Sequence, residues 1–367
     1  MLEDGRVFRG SRYGAPGVVF GEVVFNTSMT GYQEVLTDPS YAGQIVTMTY
    51  PLIGNYGANH EDQESAGPCV AGFVIHEAPP LHSNWRAEES LGAYLQRHRV
   101  VGITGVDQRA LTRHIRSAGA MRGAIARADT DESELLRQIQ AQPKMAGLDL
   151  SCGVSTVEPY TVPAVRAKRF DVLAFDLGVK SHSLKLLAER GCEVTVLPAL
   201  TATEDIFGRD FDGLFISNGP GDPEAVGHVL ETIRALADND TPIFGICLGH
   251  QLIARAFGAS TYKLLYGHRG GNHPVRRLAD GAVEITAQNH GFAVQGDEDE
   301  IPGAADLRPT HINLNDRTIE GLEHRNKPIF SVQYHPESAP GPHDSRYLFD
   351  RLIEDMAARE LASAHNA

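Results

Sequence analysis

Cys247 is the residue of this sequence whose surroundings best suit covalent chemistry. It follows a short apolar run that predicts a strand, residues 243–246, and it precedes a segment with helical periodicity. Gly245 and Gly249 flank it in a G-x-C-x-G pattern, which is typical of a nucleophile elbow with cysteine as nucleophile. The positive end of the following helix favours thiolate over thiol. The pattern predicts a reactive cysteine, and the alternative is a buried structural cysteine before an ordinary helix.

A cysteine nucleophile needs a base, and the base needs a group that orients it. His335 and Glu337 follow a predicted strand, residues 329–333, in the stretch PIFSVQYHPES. Pro336 disfavours helix at His335, and residues two apart in an extended chain point the same way. We therefore expect Glu337 to hold one ring nitrogen of His335 while the other faces Cys247. An exposed turn is the alternative, because H-P-E alone is a weak motif.

Two other polar segments follow predicted strands. Residues 218–223, NGPGDP, suit the presentation of backbone N–H groups to an oxyanion, with a plain turn as the alternative. Residues 288–292, QNHGF, come after a predicted strand at residues 283–286 and suit a polar substrate, with a strand-end turn as the alternative. Neither G-x-G-x-x-G nor G-x-x-x-x-G-K-[ST] occurs, so the sequence predicts no nucleotide site of either type.

Several histidines raise the question of a metal. Two of them lie in residues 267–274, and His290 comes shortly after. Their spacing matches no common zinc motif, and Cys247 already has another predicted role. The sequence therefore predicts no metal site.

The length of 367 residues predicts two domains. Residues 170–367 alternate strand and helix patterns, which predicts an α/β domain built on a doubly wound, mostly parallel sheet that carries the elbow. Such sheets bind ligands at the carboxyl ends of their strands. Residues 1–150 predict a smaller mixed α/β domain. Residues 151–169 hold two prolines and little periodicity, and they predict a linker.

Composition indicates which classes of partner are disfavoured and in which compartment we expect the protein. The formal net charge of -14 disfavours nucleic acid or an anionic membrane as the main partner. No run of about 18 apolar residues predicts a membrane span, and the first residues, MLEDGRVFRG, predict no signal sequence. The four cysteines are irregularly spaced, so we expect a reduced, cytoplasmic protein without a disulfide framework.

Together these motifs resemble those of a known family. Residues 245–251, GICLGHQ, and the distant His335-Pro336-Glu337 are similar to the elbow and the H-P-E of class I, triad-type glutamine amidotransferases. Nearly the whole chain resembles the small, glutamine-hydrolysing subunits of carbamoyl-phosphate synthetases. Residues 21–57 distinguish that family from other amidotransferases, and SNGPGDP, GHRGGNHPV and ITAQNHGFAV carry the same resemblance. The linker is shorter than the family leads us to expect.

The resemblance implies a role for each matching residue. Cys247 would be the nucleophile, His335 the general acid and base, and Glu337 the group that orients His335. The oxyanion hole would use N–H groups of Gly219 and Leu248. Glutamine would be bound by Ser40, Gly219, Gly221, Leu248, Gln251, Asn289, Gly291 and Phe292.

The resemblance also implies a reaction and a partner. Glutamine would be hydrolysed through a thioester on Cys247, and the ammonia would pass to a large synthetase subunit that makes carbamoyl phosphate from bicarbonate. No cofactor is expected on this chain, and ATP and Mg²⁺ are expected on the partner. The product would supply arginine or pyrimidine synthesis. The alternatives are the amidotransferase subunit of another synthetase, a non-catalytic regulatory subunit on the same fold, and a cysteine peptidase on a similar fold.

Overall fold

The computed structural model describes residues 1–366, which form two compact units. One unit comprises Met1–Leu148 and Leu264–Gly270, and the other comprises Asp149–Lys263 and the chain from Gly271 onward. Both units combine helices with a sheet, so the predicted α/β class is confirmed. Among the described residues, no helix combines the length and the apolar character that crossing a bilayer requires.

The N-terminal unit is built on a six-stranded sheet of order β1-β5-β4-β3-β2-β6. Strands β2 to β5 pair in parallel, and β1 and β6 pair antiparallel at the two edges. The strands are β1 Ser11–Gly14, β2 Val19–Asn26, β3 Gln44–Met48, β4 Gly72–Val74, β5 Val101–Thr104 and β6 Met121–Ile125. The helices are α1 Tyr32–Thr37, α2 Leu91–Arg97, α3 Gln108–Ala118 and α4 Glu132–Ala141, with a 3-10 turn at Pro39–Tyr41.

Side-chain caps set where three of these helices begin. Ser90, Asp107 and Asp131 precede α2, α3 and α4, and each side chain accepts a hydrogen bond from a backbone N–H in the first turn. Such caps satisfy N–H groups that have no partner within the helix. The predicted helices at residues 90–98 and 107–117 are thus confirmed to within one residue at each end.

The second unit is built on a ten-stranded sheet of order β13-β12-β14-β15-β16-β11-β10-β8-β9-β7. Its strands are β7 Tyr160–Val162, β8 Phe170–Asp176, β9 Cys192–Pro198, β10 Gly213–Ile216, β11 Ile243–Ile246, β12 Thr261–Arg277, β13 Val283–Val294, β14 Leu307–Asn313, β15 Ile319–His324 and β16 Ile329–Val332. Its helices are α5 Ser151–Val154, α6 Ser181–Glu189, α7 Thr203–Phe207, α8 Leu230–Asp238, α9 Leu248–Ala256 and α10 Tyr347–Asn366.

The five central strands, β9, β8, β10, β11 and β16, are mutually parallel, as predicted. The outer strands β7, β14 and β15 pair antiparallel. Strands β8, β10, β11 and β16 bury apolar side chains on both faces, because α8 and α9 pack on one side of the sheet and α6 and α10 on the other. On one face, the rings of Phe244 and Phe330 stack with centroids 4.7 Å apart, and Phe349 of α10 meets Phe244 edge-on.

Two segments differ from the expected outline. The helix predicted to begin near Glu224 begins at Leu230, because the Asp222 carboxylate accepts the Glu224 N–H and holds a turn there. The segment interpreted as a linker, residues 151–169, contains α5 and β7, and β7 pairs antiparallel with β9. The domain limits themselves stay a prediction.

Candidate active site

The polar residues of this site lie in four segments, each of which directly follows one of four adjacent parallel strands. Strands β8, β10, β11 and β16 all end at the same edge of the sheet, because parallel strands share a direction. Lys180 follows β8, residues 217–223 follow β10, Cys247 follows β11, and His335 and Glu337 follow β16. The fold therefore gathers side chains that are up to 157 residues apart in sequence, from Lys180 to Glu337.

Cys247 occupies a strained turn between β11 and α9. Its φ is +53° and its ψ is −102°, a combination that non-glycine residues rarely adopt. The backbone is held on both sides, because Cys247 N–H donates to the Val332 carbonyl at 2.9 Å and its carbonyl accepts the Gln251 N–H at 3.1 Å. This is the geometry of a nucleophile elbow.

The glycines that flank Cys247 are required by close packing. A Cβ on Gly249 would overlap the carbonyl oxygen of Ile216 in β10, and a Cβ on Gly245 would lie 2.6 Å from Ile253 Cδ1. Larger residues at either position would push α9 away from the sheet. The two glycines of the G-x-C-x-G pattern are therefore needed because α9 packs closely against β10 and β11.

His335 and Glu337 form a buried pair. His335 Nδ1 lies 2.7 Å from Glu337 Oε1. Burial favours the neutral imidazole, but the Glu337 carboxylate and the nearby Cys247 sulfur outweigh it and raise the pKa of His335 to about 10. Burial likewise opposes ionisation of Glu337, yet the Lys180 and His335 charges hold its pKa well below the usual range. At neutral pH the pair is an imidazolium beside a carboxylate.

Lys180 completes this charge cluster, and sequence reasoning missed it. Its side chain is 3% exposed, and its Nζ lies 3.0 Å from Glu337 Oε1. The same ammonium donates to the carbonyl oxygen of Ala339. The available signal was its position just after β8, at the edge where ligands bind in such sheets. A lysine buried this deeply is uncommon unless it is paired.

The loop after β10 is fixed against the loop after β8. The Ser217 hydroxyl accepts the Leu177 N–H at 3.0 Å, and the Asn218 side-chain amide donates to the Gly178 carbonyl at 2.9 Å. A Cβ on Gly219 would overlap the Leu177 carbonyl oxygen and lie 2.9 Å from Leu248 Cδ2. Gly219 and Leu248, the two predicted oxyanion-hole residues, are therefore neighbours.

Strand β13 contributes three further predicted glutamine-binding residues, Asn289, Gly291 and Phe292, and α9 contributes Gln251. Cys247 Sγ lies 3.6 Å from the Asn289 carbonyl oxygen. The Gln251 side-chain amide donates to the Phe292 carbonyl at 2.8 Å and to Gln333 Oε1 at 2.9 Å. Gly291 lies between Asn289 and Phe292 on the same strand. The structure thus brings Gln251 and this part of β13 close to Cys247, the predicted nucleophile.

The turn considered at residues 288–292 is wrong, because β13 continues through them to Val294. The polar run stays in a buried strand because its side chains satisfy one another. Gln288 Nε2 donates to Glu320 Oε2 at 2.9 Å, and Gln288 Oε1 lies 3.0 Å from His290 Nε2. His290 Nδ1 lies 2.7 Å from the Phe292 carbonyl oxygen.

Ser40 and Gly221 complete the predicted set. Ser40 lies in the 3-10 turn Pro39–Tyr41 of the N-terminal unit, where its N–H donates to Asp38 Oδ1 at 2.9 Å. Gly221 has a φ of +99°, which favours glycine, in the loop after β10. Their predicted contacts with glutamine stay predictions.

Comparison with known proteins identifies the family of this chain. Residues 1–125 match the family model of the carbamoyl-phosphate synthase small chain, CPSase domain, and residues 173–355 match that of class-I glutamine amidotransferases. The carbamoyl phosphate synthase small chain of Syntrophotalea carbinolica is 54% identical, with 97% of this chain and 96% of that protein covered. The chain belongs to the carbamoyl-phosphate synthase small-chain family.

A second small chain agrees over almost the full length, and one solved structure is similar to part of the chain. The small chain of Streptomyces coelicolor is 50% identical, with 97% of this chain and 95% of that protein covered. A crystal structure of a glutamine amidotransferase from Thermotoga maritima is 14% identical, covers 52% of this chain and 96% of that one, and has a TM-score of 0.39. The predicted resemblance to the small-chain family, with a class-I glutamine amidotransferase domain in the second unit, is confirmed.

Proposed function

We propose that this chain hydrolyses glutamine through a glutamyl thioester on Cys247 and serves as the glutamine-hydrolysing subunit of a carbamoyl-phosphate synthase. The observation that carries the proposal is the strained elbow of Cys247 next to a buried His335–Glu337 pair. The charged His335 imidazole lies close to the Cys247 sulfur, and a thiolate is the attacking form of a cysteine nucleophile. A scaffolding role would need neither the strain nor the buried charges.

In the first half of the reaction, the Cys247 thiolate attacks the carbon of the glutamine side-chain carboxamide. The carbonyl π electrons move to oxygen, and the backbone N–H groups of Gly219 and Leu248 stabilise the oxyanion. Leu248 is the first residue of α9, so its N–H points out of the helix end. When the carbon–nitrogen bond breaks, the His335 imidazolium protonates the departing nitrogen, and ammonia leaves.

In the second half, neutral His335 takes a proton from water as the water attacks the thioester carbon. The carbon–sulfur bond breaks, glutamate leaves, and the thiolate and imidazolium are restored. Glu337 keeps Nδ1 of His335 in place throughout, so that Nε2 handles the protons. This sequence follows the logic of the serine triad with sulfur in place of oxygen.

Glutamine is held, in this proposal, by Ser40, Gly219, Gly221, Leu248, Gln251, Asn289, Gly291 and Phe292. Gln251 already uses its amide nitrogen to hold the Phe292 carbonyl and Gln333. Its contribution is therefore to fix β13 beside Cys247 and to offer its oxygen to the substrate.

The proposed partner is a large synthetase subunit that receives the ammonia and joins it to bicarbonate. ATP and Mg²⁺ belong to that subunit in this proposal, and glutamine is the substrate of this chain. The two chains would act as a heteromer in the cytoplasm, with the product used in arginine or pyrimidine synthesis. Membership of the small-chain family supports this assignment over that of other synthetases.

The test compares Cys247→Ser with the matched control Cys69→Ser, which changes a half-buried cysteine in the N-terminal unit. In the reconstituted complex, Cys247→Ser should abolish glutamine-dependent carbamoyl phosphate synthesis, because a hydroxyl does not ionise near neutral pH. Synthesis from added ammonia should persist. Mass spectrometry of the quenched wild-type chain should find the glutamyl group on the Cys247 peptide. Normal glutamine use by Cys247→Ser would refute the mechanism, and a regulatory subunit would release no ammonia.

A further inference from the structure

A second cysteine lies in a cluster that the proposed reaction does not use. Asp149, Cys152 and His228 offer a carboxylate oxygen, a sulfur and a ring nitrogen that all lie within 4.8 Å of one another. Cys152 Sγ is 3.6 Å from Asp149 Oδ2, and His228 Nδ1 is 3.9 Å from the same oxygen. Their order along the sequence matches no zinc motif, so sequence reasoning passed over them.

The spacing fits a tetrahedral cation. Zinc bonds sulfur, nitrogen and oxygen ligands at about 2.0–2.3 Å, which places neighbouring ligand atoms about 3.3–3.7 Å apart. The two separations that involve Asp149 Oδ2 are 3.6 and 3.9 Å, and all three ligand atoms lie within 4.8 Å of one another, so His228 must move inward to reach that range. Three protein ligands leave the fourth position to water.

The Asp149 carboxylate is already oriented for this task. Its other oxygen, Oδ1, accepts the Ser151 N–H at 2.9 Å and the Ser151 hydroxyl at 2.6 Å. These bonds leave Oδ2 facing Cys152 and His228, as outer-shell hydrogen bonds orient the ligands of known metal sites. The side chains of His228 and Asp149 are 29% and 24% exposed, so an ion can enter from solvent.

The ligand set selects the kind of cation. Magnesium and calcium prefer oxygen ligands throughout, whereas a thiolate with an imidazole suits zinc. A carboxylate, a thiol and an imidazole in one cluster therefore favour zinc over the oxygen-binding cations.

We propose that Asp149, Cys152 and His228 form a binding site for Zn²⁺, separate from the Cys247 chemistry. The site joins α5 to the 3-10 turn Gly227–Val229. The backbone of Asp149 also bridges Gly221 in the loop after β10. A bound ion would therefore connect Asp149, which bridges the loop after β10, to His228, which lies in the turn that follows this loop.

The test uses the full-length chain with Cys247→Ala in every sample, so that the catalytic thiolate cannot bind the ion. Co²⁺ is the spectroscopic probe, and Zn²⁺ competes with it. We expect one Co²⁺ per chain with a sulfur-to-cobalt charge-transfer band. Cys152→Ser should remove the band, and His228→Asn should weaken binding by at least ~10-fold. The controls Cys69→Ser and His343→Asn, both outside the cluster, should leave the spectrum unchanged.

Protection of the Cys152 thiol from alkylation tests the same site while Asp149, Cys152 and His228 all remain unchanged. One equivalent of Zn²⁺ should slow alkylation of Cys152 by at least ~10-fold, and alkylation of Cys69 should not change, as followed by peptide mass spectrometry. Equal alkylation of Cys152 with and without Zn²⁺ would overturn the site. A charge-transfer band that survives Cys152→Ser would overturn it as well.

Discussion

Lys180 Nζ lies 3.0 Å from Glu337 Oε1, and both side chains are almost fully buried. The same carboxylate oxygen lies 2.7 Å from His335 Nδ1. Two buried cationic groups therefore share one carboxylate. The lysine keeps the carboxylate ionised, and the ionised carboxylate keeps the imidazole charged and oriented. The charge network beside Cys247, the proposed nucleophile, thus reaches one residue beyond the predicted triad.

Lys180→Met should test that dependence, because methionine keeps most of the side-chain volume and removes the charge. Breaking a buried ion pair costs about 3–5 kcal/mol of folding free energy. The pKa of Glu337 should rise, so the acidic limb of the glutaminase pH profile should move to higher pH. Denaturant unfolding measures the loss of folding free energy, and steady-state ammonia release at several pH values measures the shift of the acidic limb.

Lys185→Met is the matched control, since Lys185 is exposed on α6, the helix that begins directly after Lys180. Its unfolding free energy should change by no more than about 0.5 kcal/mol, and its pH profile should coincide with that of the wild type. Identical acidic limbs for the two lysine variants would show that Lys180 does not control Glu337.

The sequence predicts the centre of the second unit well, and physical reasons explain why. Strands β8, β10 and β11 are short apolar runs bounded by loops, and a strand buried on both faces requires that pattern. The elbow is readable because a sharp turn against a sheet demands small residues at Gly245 and Gly249.

Lys180 and β13 were harder to predict, because their environments depend on distant residues. A lysine is usually exposed, and only Glu337, 157 residues later, makes its burial favourable. A run such as QNHG favours a turn unless its side chains find hydrogen-bond partners elsewhere in the fold, and here Glu320 of β15 accepts a hydrogen bond from Gln288. The residues next to Lys180 or next to Gln288 in the sequence therefore reveal neither partner.

Folding stability should fall as pH rises from neutrality, because His335 binds its proton more tightly in the folded state. Its pKa is about 10 in the folded protein, against an ordinary value of 6.5. The stabilisation is complete below pH 6.5, declines as pH rises, and is lost above the folded pKa. One proton contributes a slope of up to about 1.4 kcal/mol per pH unit.

Denaturant unfolding at several pH values between 6.5 and 10 measures this slope. His335→Asn lacks the titrating group, so its unfolding free energy should depend less on pH over that interval. Parallel pH dependences for wild type and His335→Asn would mean that His335 is not an imidazolium in the folded chain.

His335→Asn should reduce turnover more than Glu337→Gln does. In the proposed mechanism His335 transfers protons to the substrate atoms, and such transfer contributes ~100- to 10,000-fold to rates. Glu337 acts through His335, and a glutamine keeps an oxygen within reach of Nδ1. Steady-state glutaminase rates of the two variants decide the order, with thermal unfolding to confirm that both fold. A larger loss in Glu337→Gln would reverse the assigned roles.

Gly219→Ala should impair turnover far more than glutamine binding. The added methyl group would overlap the Leu177 carbonyl oxygen, which cannot retreat freely because the Leu177 N–H is bound to the Ser217 hydroxyl. The loop must move instead, and the Gly219 N–H moves with it. Loss of one oxyanion-hole donor costs about 100- to 1,000-fold in kcat. We expect a decrease near the lower end of that range, with a smaller change in KM.

Gly227→Ala provides the matched control, because a Cβ there meets no atom within 4 Å of it among the described residues. Gly227 begins the 3-10 turn Gly227–Val229, which comes shortly after the same loop. The kcat of this variant should stay within about twofold of the wild type, since substitutions away from packed features are usually nearly neutral. If Gly219→Ala kept the kcat of Gly227→Ala, the Gly219 N–H would not be an oxyanion donor, and the second donor would have to be sought elsewhere near Leu248.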